Sequence, residues 1–77
     1  MTRIPSLSSR EVVQALKKGG FLDAPKRGKG SHIAMVKKGS GLPRLVIIPE
    51  RKVLPKGTLR AILEQAGLSR EEFLSLL

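Results

Sequence analysis

The apolar positions change period along the chain, and the changes divide it into elements. Val12, Val13, Ala15 and Leu16 recur on one side of a 3.6-residue repeat, which predicts a helix over about residues 9–18. Ser8-Ser9-Arg10-Glu11 fits a capping box, with the Ser8 hydroxyl taking the Glu11 amide and the Glu11 carboxylate reaching back. Leu7 and Val12 stand at the two positions of a hydrophobic staple. Pro5 bars an earlier start, so residues 1–7 read as a short extended arm. Lys17 and Lys18 suit the negative end of the helix dipole, and Gly19-Gly20 supplies a left-handed stop.

The period then falls to two. Phe21-Leu22-Asp23-Ala24 reads as a first strand, ended by Pro25 and the turn Lys26-Arg27-Gly28-Lys29-Gly30. From Ser31 to Val36 the alternation puts Ser31, Ile33 and Met35 on one face and His32, Ala34 and Val36 on the other. The bulkier set is expected to face the core, so His32 should point away from it. After a second turn over 37–41, Arg44 to Ile48 is a third strand whose unbroken aliphatic run suggests cover on both faces.

A helical period returns with Leu59, Ile62, Leu63 and Ala66, following a basic connector over 50–57. Thr58 is the expected cap, and Gly67-Leu68 the expected Schellman close. Ser69-Arg70-Glu71-Glu72 is a second capping box, which predicts a short last helix carrying Phe73, Leu74 and Leu77. The order is helix, three antiparallel strands, helix, and a helical turn. Two helices with one apolar face each should cover one side of the sheet, giving an α+β two-layer sandwich over residues 1–77 as a single domain.

Composition adds one strong constraint. The 77 residues carry a net charge of +9. Residues 1–60 hold fourteen Lys and Arg against Glu11, Asp23 and Glu50, whereas residues 61–77 set Arg70 against Glu64, Glu71 and Glu72. The positive field therefore belongs to the body of the domain, and it recruits phosphates or an acidic partner. Phe21 and Phe73 are the only aromatic residues, too few for a base-stacking platform. Without cysteine and with one histidine, neither a disulfide framework nor a structural zinc site is expected. The longest aliphatic run, Leu45 to Ile48, is far short of a membrane span, and no signal-peptide core is evident, so a cytoplasmic location is expected.

These residues also limit the available chemistry. No convergent pair of carboxylates supports glycosidase or metal-dependent phosphodiester chemistry. Ser31 and His32 are adjacent on a strand and point to opposite faces, so they make a poor nucleophile and base with Asp23. Gly39-Ser40-Gly41 and Lys56-Gly57-Thr58 lack the spacing of a phosphate loop. What remains is His32 among cations. An imidazole moves protons near neutrality, and RNA carries its own nucleophile in the 2′-hydroxyl. Cleavage would then need only a base, alignment and charge stabilisation, with no cofactor or metal. His32 is the candidate catalytic residue; Lys26, Arg27, Lys29, Ser31, Lys37 and Lys56 are candidate RNA contacts.

Several motifs in order carry a family resemblance. Ser8 to Leu16 followed by Gly20-Phe21, then Gly30-Ser31-His32, then Val46 to Pro49, then Pro55-Lys56-Gly57-Thr58-Leu59 through Gln65-Ala66-Gly67-Leu68, together resemble the HicA toxins of bacterial HicA-HicB toxin-antitoxin modules. The resemblance implies a fold like the double-stranded-RNA-binding domain, ribosome-independent cleavage of mRNA, and inhibition by a HicB-like antitoxin that covers the active surface. It also implies that the signature histidine, here His32, is catalytic. Ile33 and Ala34 follow it where many members carry another polar residue or histidine, which bears on how substrate approaches. A non-catalytic double-stranded RNA-binding module, and a protein that meets only an acidic partner, are the competing expectations.

Overall fold

The computed structural model describes residues 4–24, 30–39 and 41–77. In chain order these form α1 (Ser9–Lys18), β1 (Leu22–Asp23), β2 (His32–Lys37), β3 (Arg44–Pro49), α2 (Lys56–Ala66) and α3 (Arg70–Leu74). The three strands make one antiparallel sheet in the order β1-β2-β3. This is the expected α-β-β-β-α order with a short C-terminal helix.

Both capping boxes form. Ser8 Oγ accepts from the Glu11 amide at 3.2 Å, and Glu11 Oε1 accepts from the Ser8 amide at 3.0 Å. Ser69 and Glu72 repeat the pattern at 3.1 and 2.9 Å. Each box satisfies two amides that the first turn of a helix leaves without a partner. The chain leaves α1 through Gly20, at φ 96°, while Gly19 stays at φ −82°. The left-handed residue is thus the second glycine of the pair.

The core lies between the helices and one face of the sheet. It unites Val12, Ala15 and Leu16 of α1, Met35, Val46 and Ile48 of the sheet, and Leu59, Ile62, Leu63 and Ala66 of α2. Leu7, Phe21, Leu54 and Phe73 close it from the flanking segments. Fully burying side chains of this kind stabilises by about 1.5–3 kcal/mol each before conformational entropy is charged against it.

Four expectations need correction. The first strand is two residues long: the Phe21 amide donates to Leu16 O at 2.9 Å at the close of α1 and so lies outside the ladder, although the Ala24 amide still donates to Ala34 O at 2.9 Å. Thr58 does not cap α2; the helix begins at Lys56, behind Pro55, with no side-chain cap, and Thr58 lies inside the first turn. Leu76, not Leu77, packs against the core from the last turn, with Leu77 exposed. Finally, β3 is covered on one face only: Val46 and Ile48 are buried, while Leu45 and Ile47 are half-buried on the other side.

The 50–55 connector is fastened along the start of α1. Ser9 donates from its amide to Arg51 O at 3.0 Å, and its hydroxyl bonds both Arg51 O and Arg51 N at 3.2 Å. The Leu54 amide donates to Leu7 O at 2.8 Å. Ser9 is a buried polar residue, and this exchange with Arg51 satisfies it.

Candidate nucleic-acid interface

His32 is the first residue of β2 and is exposed. The register explains its direction. Met35, three positions on, is fully buried on the helix-covered face, so the side chain of His32 emerges on the open one. That face also carries Leu22, Ala24, Val36, Leu45, Ile47 and Pro49, aligned by the pairings Leu22↔Val36, Val36↔Leu45, Ala34↔Ile47 and His32↔Pro49. His32 therefore stands at one corner of a largely apolar sheet face.

The end of the sheet at His32 is tied down. The Glu50 amide donates to Ser31 O at 2.7 Å, so the strands stay paired past His32, and Ser9 then holds the next residue, Arg51. Ser31 is exposed beside His32. The α2 helix runs antiparallel to β3, because its end at Gly67 lies against Arg44 and its Gln65 reaches Ile47. Its first residue, Lys56, consequently lies toward the His32 end, on the helix side of the sheet. Arg51 and Lys52, both exposed, leave the sheet at that same end. They were not among the expected contacts; only the hairpin register, not their sequence distance from His32, brings them near.

Lys37 stands apart. Five residues from His32 at about 3.4 Å each put it roughly 17 Å along the strand, and the odd spacing turns it to the opposite face. Its ammonium lies over the Phe21 ring, 5.8 Å from the centroid, a cation–π distance. Lys26, Arg27 and Lys29 lie outside the described residues. A shallow depression lined by Lys37, Leu42, Arg44, Gly67 and Glu72 opens at the opposite end from His32, so the histidine belongs to a surface and not to that hollow.

The imidazole is exposed at the corner of the open sheet face, and the exposed Arg51 and Lys52 leave the sheet at the same end. Among the described residues no helix is long and apolar enough to cross a membrane.

Comparison with known proteins agrees with the motif order. Residues 9–68 match the family described as the HicA toxin of bacterial toxin-antitoxin systems. The chain belongs to this family, and it is the toxin component of such a system, a role that implies pairing with an antitoxin. No curated protein matches the chain. Residues 69–77 lie beyond the family match, yet Phe73 among them is fully buried and completes the core.

Proposed function

We propose that this toxin is a metal-independent endoribonuclease that cleaves mRNA, with His32 as the proton-transfer group. The observation that carries the reading is the placement of the chain's only histidine, exposed at the corner of an open sheet face in a member of the HicA family. The neutral imidazole would take the proton from a ribose 2′-hydroxyl. The 2′-oxygen then attacks the adjacent phosphorus, and the bond to the 5′-oxygen breaks, leaving a 2′,3′-cyclic phosphate. The departing 5′-oxygen takes a proton from water or from a lysine ammonium.

The cations supply alignment and charge. Lys26, Arg27 and Lys29 immediately precede the Gly30-Ser31-His32 motif in sequence, and with Ser31 and Lys56 they are the proposed phosphate contacts. Lys37, on the other face and at the far end of β2, would meet a different part of the RNA from the phosphate under attack.

The restraining partner is proposed to be a small acidic antitoxin of the HicB type. A net charge of +9 gives it an electrostatic target, and a partner laid on the sheet face would exclude RNA from His32.

The test is incubation of the purified 77-residue chain with single-stranded and duplex RNA in EDTA. Cleavage fragments ending in cyclic phosphate support the reading. Salt-sensitive binding without cleavage would make the protein an RNA-binding module instead.

A further inference from the structure

We propose that Pro49 is a positioning residue for His32, the fixed wall that limits where the imidazole can stand. The inference rests on the reading of His32 as the proton-transfer group, and it assigns a role to a residue on the neighbouring strand.

The geometry begins with the register, which sets His32 directly opposite Pro49. The Glu50 amide donates to Ser31 O, so Ser31 and Glu50 form a hydrogen-bonded pair and the next pair, His32 and Pro49, is of the non-hydrogen-bonded kind. Such pairs bring the two Cα atoms to about 4.5 Å, the closest side-chain approach in an antiparallel sheet. Pro49 also satisfies the backbone rule for this position, because its missing N–H would have pointed away from the ladder.

Pro49 is held on both sides. Ile48 before it is fully buried in the core, and Glu50 after it is bonded to Ser31. Two residues back, the outward amide of Ile47 donates to Gln65 Oε1 at 2.9 Å, which anchors this stretch of β3 to α2. The pyrrolidine ring has no freely rotating χ1, so it presents one shape where another residue would sample several.

Along β2 itself nothing comparable restrains His32. The next residue on its face is Ala34, whose single methyl cannot limit an imidazole two positions away. Among the described residues, Pro49 is therefore the one direct cross-strand neighbour of the histidine. A base on an exposed strand gains most from such a wall, since effective alignment depends on small displacements.

The chain has a single histidine, so its imidazole signals are assignable without ambiguity. The experiment compares wild type, Pro49→Ala and Pro49→Val by NMR and by RNA cleavage. The expected results are through-space contacts between the imidazole and Pro49 ring protons in wild type, and averaged His32 χ1 couplings in Pro49→Ala. The kcat of Pro49→Ala should fall roughly tenfold or more with little change in KM, and Pro49→Val, whose branched side chain is stiff, should recover most of it. Absence of those contacts in the folded wild type, or unchanged couplings and kcat in Pro49→Ala, would overturn the assignment. If Pro49→Ala does not fold, the wild-type spectra decide: imidazole contacts to the Pro49 ring together with the couplings of a single His32 χ1 rotamer support the wall, and averaged couplings or missing contacts refute it. A wild-type protein that shows the contacts but cleaves no RNA would defeat the nuclease reading alone.

Discussion

Gln65 Oε1 accepts the amide of Ile47 at 2.9 Å, a side chain of α2 occupying a backbone donor on the free edge of β3. Because Pro49 has no amide to offer, two successive outward positions of this edge present no free N–H. An unprotected edge strand invites pairing with another chain. Replacing Gln65 with Ala should cost about 0.5–1.5 kcal/mol, the net worth of one hydrogen bond, and should increase self-association. Urea unfolding together with sedimentation at increasing concentration checks both effects.

Gly67 closes α2 at φ 71°, and its Leu68 neighbour donates to Leu63 O at 3.0 Å, completing a Schellman turn. A β-carbon at Gly67 would also come within 2.5 Å of Arg44 Cζ. Two separate penalties should therefore meet in Gly67→Ala: about 1–2 kcal/mol for the left-handed backbone, and displacement of the guanidinium. Adding Arg44→Ala should remove only the second. Thermal unfolding of the single and double variants separates them, and full recovery in the double variant would contradict the backbone part.

The Ser69-Glu72 capping box gives a pH dependence with a definite sign. The Ser69 amide and then its hydroxyl hold the Glu72 carboxyl below its ordinary value of 4.5, with a smaller contribution from Lys37. A depressed carboxyl stabilises fully above the unfolded value, and that stabilisation is lost as pH falls through the folded one. The Tm difference between wild type and Glu72→Gln should accordingly shrink as melts are taken below about pH 4.5. A difference that stays constant down to pH 3 would contradict the box as an ionic cap.

Phe73 is fully buried although it lies beyond the family match and only four residues from the end of the described chain. Phe73→Ala should destabilise by about 3–5 kcal/mol, a large share of what a small domain has. Denaturant unfolding of this variant measures whether α3 is part of the cooperative unit.

Local spacing made much of this legible. Both capping boxes and the Gly67 close were readable because each is decided within about six residues. The direction of His32 followed from strand alternation for the same reason. The Ser9–Arg51 exchange was not readable, since its partners are 42 residues apart and nothing local marks them. Nor was the His32–Pro49 pairing, which depends on how the β2–β3 hairpin sets its register. Lys37 was grouped with His32 by sequence distance, whereas an odd step along a strand reverses the face. At α2 the residue before the helix is Pro55, which makes no side-chain cap hydrogen bond, so this start lacks the hydroxyl signal that marks α1 and α3.

The central claim is that His32 performs the proton transfer, and the most direct measurement is metal-free cleavage of RNA by wild type and by His32→Ala at neutral pH. The substitution should lower the cleavage rate by about 10²–10⁴-fold while leaving RNA binding and thermal unfolding unchanged. A His32→Ala protein that cleaves at the wild-type rate would contradict the account.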